Sequence, residues 1–462
     1  MIEADYLVVG AGAMGLAFAD VVLNETDATL AIVDRYGSPG GHWTRAYPYV
    51  RLHQPSAFYG VNSRPLGSGA QDTRGWNAGL FELASGAEVV AYFDQVMNQQ
   101  LLPSGRVQFF PMCEYAEGGV IVSLVSGEVQ EVKVRKVVDA TYSKVDVPST
   151  RPPAFDVAGE AKCVPPNALT TIDTTPAGYV VIGAGKTGMD ACLWLLGTGV
   201  APDDITWIMP RDAWLLDRAT IQPGPDFFGS TVGGFALQME AAALATSIDD
   251  LFERLEATGQ LLRLDKGIRP TMYRCATVSI AELEQLRRID GIVRLGRVRS
   301  IGAQEIVLDS GTIATSPDVL HIDCAADGLK RRPAVPVFAG DRITLQNVRT
   351  CQPTFSAAFI GHADTAYQDE AEKNELCTPV PYPNSDLDWL PMTLANTINV
   401  ARWNSDPGLG AWLRGSRLDA YSQASLGGEP NADQLEILRK IGENTPPAIT
   451  NLERLLADVA DD

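Results

Sequence analysis

Twice in this chain a short apolar run ends in three glycines spaced GxGxxG and passes straight into a helical pattern. No other feature narrows the fold so far. "YLVVGAGAMGLAFADVV" carries Gly10, Gly12 and Gly15, and "GYVVIGAGKTGMDACLWLLGTG" carries Gly183, Gly185 and Gly188. In such a unit the first glycine makes the tight turn, the second lets the backbone approach a pyrophosphate, and the third lets helix and strand pack closely. The unpaired N–H groups at the start of the helix then bind phosphate. A lone GxGxxG is weak evidence, but the first copy has strand, loop, helix, second strand and closing acid in order: "TLAIVDR" follows and ends in Asp34, an acceptor for a ribose hydroxyl.

The second copy departs at one place. Its second strand, "DDITWIMPRDAW", carries Arg211 where an acid would sit. An acid there repels a 2′-phosphate, whereas an arginine binds one in a charge-assisted way. The first loop therefore suits FAD or NAD, and the second suits NADP. Two nucleotides held by one chain point to hydride transfer from a nicotinamide to a flavin. The residues expected on the first nucleotide are Gly10, Gly12, Ala13, Met14, Gly15, Asp34 and Arg35; on the second, Gly183, Gly185, Lys186, Thr187, Gly188 and Arg211.

Between the units lies "DRYGSPGGHWTRAYPYVRLHQPSAFYGV", residues 34–61, with neither a strand nor a helix period. A backbone wrapped round a planar ring keeps no such period. Gly40 and Gly41 let N–H groups reach that ring, Trp43 offers a flat wall, and His53 and Gln54 offer donors at its reactive edge. His42 beside them is either a ring contact or a solvated side chain. Trp43, Tyr47 and Tyr49 are equally at home as buried core, where aromatic residues usually sit. Trp43, His53 and Gln54 are the candidates for chemistry.

"GSPGGHW" followed by "LHQPSAF" resembles the flavin loop of class B flavoprotein monooxygenases, which comprise the flavin-containing, auxin-forming and Baeyer–Villiger types. "GAGKTGMD" is similar to their second nucleotide loop, and "IMPRDAWLLDR" to the run after it, with Arg211, Trp214 and Arg218 at matching places. "IVLDSGTI" and "DVLHIDCAADG" resemble the strands that close their NADP domain. The likeness spans about residues 1 to 365. It implies FAD and NADPH as cofactors, and a monooxygenase that uses a flavin C4a-(hydro)peroxide, formed from O2, on a small organic substrate. It also implies cofactor contacts from Gly41, His42, Trp43 and His53, from Ala140 in the return "DATYS", and from Gly361 and His362 in "FIGHAD". Arg349, Thr350, Gln352 and Phe355 would line the substrate side. The family's linker histidine is missing from "PPAFDVAGEAKCVPPNALT". That favours a rival reading, a flavin dehydrogenase or NADPH oxidase without oxygen insertion. A third reading is a non-catalytic nucleotide-binding sensor.

The expected fold is α/β, with two Rossmann-like domains and a mostly helical C-terminal extension. Residues 1–165 and 324–370 would form the FAD domain, 166–323 an inserted NADP domain, and 371–462 the extension, which would cap the site or join two copies in a homodimer. A capping-box pattern at Ser85 and Glu88 predicts a helix whose buried face carries Val89, Phe93, Val96 and Met97. His321, in an apolar run, reads as a core histidine.

A net charge of −20 argues against nucleic acid, which needs a cationic face, and against anionic lipid. No apolar run approaches the ~18–20 residues that span a bilayer. Seven scattered cysteines with no CxxC suggest a reducing compartment, the cytoplasm, and neither a zinc site nor a redox disulfide.

Overall fold

The computed structural model describes all residues except 117, 146, 327, 329–331, 426–428 and 462. The return "CAADG" therefore falls partly outside the described residues, at Asp327.

The first unit opens with β1 (Ile2–Val9), α1 (Ala13–Glu25) and β2 (Leu30–Asp34). The helix α2 (Gly86–Val96) and strands β3 (Val107–Pro111), β4 (Cys113–Ala116), β5 (Val120–Ser123) and β6 (Val129–Asp139) follow. Strands β3, β2, β1 and β6 pair in parallel in that order, and β4 and β5 form an antiparallel meander onto β6. Helix α1 is buried continuously from Met14 to Leu23, as expected of a helix apolar all round. The Ser85–Glu88 capping box starts α2, and Val89, Phe93, Val96 and Met97 are buried as the pattern requires.

The second unit contains β7 (Asp156–Val157), β8 (Lys162–Val164), β9 (Gly178–Ile182), α3 (Lys186–Gly197), β10 (Ile205–Ile208) and β11 (Ala213–Asp217). It continues with α4 (Phe228–Leu244), α5 (Ile248–Ala257), β12 (Met272–Val278), α6 (Ile280–Leu286) and β13 (Ile292–Val293). The strands β14 (Val298–Ile301), β15 (Glu305–Leu308), β16 (Gly311–Ala314) and β17 (Val319–Asp323) complete it. Its main sheet is parallel, in the order β13-β10-β9-β17-β8. Because β7 pairs with β14 and β8 with β17, the chain has crossed into this unit by residue 156 rather than at 166. His321 is fully buried, with its ring nitrogens on Thr315 Oγ1 and the Lys162 carbonyl.

The return adds β18 (Phe338–Ala339) and β19 (Arg342–Thr344) to the first sheet, then α7 (Pro353–Ala366), α8 (Glu370–Leu376), α9 (Trp389–Ser405), α10 (Pro407–Gly415), α11 (Ala420–Ser425) and α12 (Ala432–Asp461). The segment after residue 370 is helical but not separate. Leu376, Trp403, Leu409, Leu413 and Leu418 belong to the first unit's core, whereas Ala448, Leu452 and Leu455 of α12 pack with Met239 and Phe252 of the second. Arg417 donates to the carbonyls of Ala57, Val61 and Tyr59 at 2.6–2.8 Å and so clasps the end of the aromatic loop.

One covalent link was not foreseen from cysteine spacing. Cys275 on β12 and Cys351 before α7 are disulfide-bonded across 76 residues of sequence. Their pairing depends on how the second unit returns to the first, which no local spacing records. Among the described residues no helix is long and apolar enough to cross a membrane.

Candidate active site: two glycine loops and the aromatic loop between them

In the first loop Gly10 has φ 107°, and a Cβ on Gly15 would lie 2.0 Å from the Gly10 carbonyl oxygen. Neither position accepts a larger residue. Gly12 caps α1 with no side-chain partner, which leaves the amides of the first turn, from Ala13 and Met14 onward, facing outward. Asp34 ends β2 beside them and accepts from the amides of Ala11 (2.6 Å) and Tyr36 (2.8 Å). Burial raises its pKa, against those bonds. Ala140 follows β6, donates to the Val9 carbonyl, and packs its methyl against the same loop.

The aromatic loop folds back over this turn. The Gly40 amide donates to the Ala11 carbonyl (2.9 Å), and a Cβ on Gly41, itself at φ 58°, would lie 3.0 Å from Gly12 Cα. Trp43 is half-buried and donates from Nε1 to the Tyr59 hydroxyl at 2.7 Å, with the His42 ring 5.2 Å from its own. Burial pushes His42 down to about 4, so it is neutral near pH 7.

His53 and Gln54 lie further along, half-buried where the two units meet. The His53 carbonyl accepts from Arg218 Nε at 2.8 Å. Burial, and then the charges of Lys186 and Arg218, hold its imidazole well below the ordinary value. Arg218 is itself fully buried and also binds Asn77 (2.9 Å) and Glu282 (2.6 Å). Tyr47 donates to Asp190 of α3, which pairs with Lys186, and Tyr49 stacks on Trp194 of the same helix with ring centroids 4.8 Å apart.

The second loop repeats the first. Gly183 has φ 124°, and a Cβ on Gly188 would lie 2.1 Å from the Gly183 carbonyl oxygen. At Gly185 a Cβ would meet nothing within 4 Å, so the face above the loop is open. Lys186 and Thr187 begin α3. Arg211, just past β10, reaches Asn384 Oδ1 at 3.4 Å, an oxygen shared with Arg274 Nε at 3.0 Å. Burial, then repulsion from Arg274 and Arg297, lowers the Arg211 pKa. The charges of Arg274 and Arg297 thus reach Arg211, with those of Asp386 and Asp388 opposing them.

Three assignments are corrected. Arg35 turns to the surface, where it pairs with Glu114 at 3.0 Å. Gly361 lies inside α7 rather than at a cofactor, and its missing side chain lets α7 approach Phe18 and Val21 of α1. His362, one residue on, pairs with Glu25 at the far end of α1 and stacks on Trp412, a helix length from the glycine turn. Pro353 at the first helical position and the alanine-rich run after it favour this helix.

Other residues were missed. The Tyr59 hydroxyl accepts the hydrogen bond from Trp43, and Tyr382 donates to Asn347 Oδ1 at 3.1 Å close by. Gln352 caps α7 with a buried side-chain oxygen that has no protein partner, and Tyr49 has such a hydroxyl. Tyr59 stands in the stretch already singled out; Tyr382, Arg274 and Arg297 carry no local signal.

A parallel sheet opened by a glycine loop, with a second such unit inserted and the chain returning to finish the first, is a doubled Rossmann-like fold. The open crystal structure of cyclohexanone monooxygenase has that fold: it aligns with a TM-score of 0.50 at 15% identity, over 82% of this chain and 93% of that one. By sequence, the uncharacterized proteins Rv2000 of Mycobacterium tuberculosis (strain ATCC 25618 / H37Rv) and Mb2023 of Mycobacterium bovis are each 56% identical over 418 residues, 90% of this chain and 78% of theirs. The chain belongs to their family. No protein-family model matches it.

Proposed function

We propose that this protein is an FAD- and NADPH-dependent oxidoreductase of the monooxygenase type, acting on a small organic substrate. The observation that carries the reading is the pairing of two glycine turns with unlike closing residues, Asp34 at the first and the Arg211 cluster at the second. The residues fit both groups. At the first turn α1 offers free amides next to a ribose acceptor; Gln352 at the start of α7 and Tyr49 against α3 carry further buried polar atoms without protein partners. At the second turn the space over Gly185 is open, and three arginines suit a 2′-phosphate.

In this reading the flavin, when bound, supplies electron transfer from the nicotinamide and reaction with O2. The chain supplies placement. Gly41 and Trp43 form one wall, the α7 N-terminus points its amides and Gln352 inward, and neutral His53 stands at the junction of the two units as an uncharged donor. Tyr47, Tyr49 and Arg218 hold that junction closed against water.

The absorption spectrum of protein incubated with FAD and desalted tests the cofactor: a colourless product overturns the proposal. Anaerobic mixing with NADPH against NADH then reads the nucleotide. Oxygenated product formed with NADPH consumption supports oxygen insertion, and stoichiometric peroxide without product supports the oxidase alternative, which the histidine-free linker favours.

A further inference from the structure

The Cys275–Cys351 bond joins β12 of the second unit to the turn that starts α7 in the first. Both cysteines are half-buried rather than sealed, as are the free Cys113 and Cys163, whereas Cys192, Cys324 and Cys377 are buried. Both hold left-handed backbone, φ 53° at Cys275 and 51° at Cys351, which residues with a β-carbon rarely adopt. Cys275 also lies where the β11–β12 register slips, opposite the step between Trp214 and Leu216. Its preceding residue is Arg274, a member of the arginine cluster, and Cys351 is followed by Gln352, the cap of α7. The link thus holds a strand bearing one nucleotide-site residue against the start of a helix bearing another.

We propose that Cys275–Cys351 is a reversible thiol–disulfide exchange site whose reaction partner is a dithiol, and that its closed form fixes Arg274 against the first unit. In the exchange, a thiolate of the dithiol attacks one sulfur and displaces the other as a thiolate, giving a mixed disulfide. The second thiol of the partner then displaces the protein sulfur. Two electrons pass to the cysteine pair, two protons end on Cys275 and Cys351, and the partner leaves as a disulfide. The released backbone at both cysteines relaxes toward ordinary φ, and β12 loosens. The effect on nucleotide binding rests on the NADPH reading above; the exchange itself does not.

The whole protein, incubated with oxidised glutathione, denatured without reductant and alkylated with iodoacetamide, is expected to take up five labels on its seven cysteines, with the 275 and 351 peptides linked. After dithiothreitol it is expected to take up seven. Seven labels after oxidation, or a link between another pair, overturns the proposal. Hydrogen exchange over residues 272–278 and 349–353 is expected to be several-fold faster in the reduced protein, with Cys275→Ser and Cys351→Ser matching it; equal exchange overturns the fixing role, and the wild-type comparison decides if the variants do not fold. NADP+ affinity by calorimetry is expected to fall several-fold on reduction. Equal, measurable affinity in both states overturns the coupling alone, and no NADP+ binding in either state overturns the nucleotide reading alone.

Discussion

Tyr47 donates its hydroxyl proton to Asp190 at 2.6 Å, and that bond fastens the aromatic loop of the first unit to the helix of the second glycine loop. Asp190 keeps Lys186 as a second partner, so Tyr47→Phe removes one charge-assisted bond without stranding the carboxylate. A loss of roughly 1–2 kcal/mol is expected, toward the low end for a bond to a charged group. Urea denaturation measures it. An unchanged midpoint would mean that ring packing of Tyr49 on Trp194 holds the loop unaided.

The glycines of one loop separate folding from binding. Gly188→Ala forces a methyl against the Gly183 carbonyl and is expected to cost roughly 1–3 kcal/mol of stability. Gly185→Ala places its methyl in open space at an ordinary φ of −81° and is expected to leave the thermal midpoint in place while NADPH affinity falls. The opposite ranking would remove Gly185 from the nucleotide site.

Arg211→Ala tests the cluster. With a 2′-phosphate among three guanidinium groups, NADPH binding is expected to weaken by roughly 1.5–3 kcal/mol, about 10- to 150-fold. NADH binding is expected to hold. Arg274→Ala and Arg297→Ala are expected to act in the same direction. Equal losses with both nucleotides would refute the assignment.

His42 sets a pH dependence whose sign is fixed. Its folded pKa is pushed down to about 4 by burial, against an ordinary value of 6.5. Between those values the unfolded chain binds more protons than the folded one, so stability rises with pH. The contribution is full above about pH 6.5 and is lost as pH falls toward 4. Asp20 and Asp34, whose pKa values burial raises, act in the opposite sense, so the comparison needs a variant. Denaturation of His42→Asn and wild type at pH 7 and pH 4.5 is expected to show the larger drop in wild type; parallel drops would place His42 in water.

The glycine turns were legible because their demands are local. A turn at positive φ, and a helix start where an added Cβ would lie 2.0–2.1 Å from a carbonyl oxygen, forbid side chains at fixed spacings, and those spacings are written in Gly10, Gly15, Gly183 and Gly188. The capping box at Ser85 and Glu88 was legible for the same reason, since its partners are three residues apart. His362 was misread because a run's secondary structure does not say which end of a neighbouring helix it meets, and that end proved to be Glu25. Arg274, on β12, and Arg297, just before β14, come to act on Arg211 only through the tertiary fold. The Cys275–Cys351 bond, and the α8–α10 helices that fill the first unit's core, likewise depend on contacts between distant segments. Local backbone sterics leave a trace in residue spacing. Contacts between remote segments leave none, because they are set by how whole sheets and helices bury their apolar faces against one another.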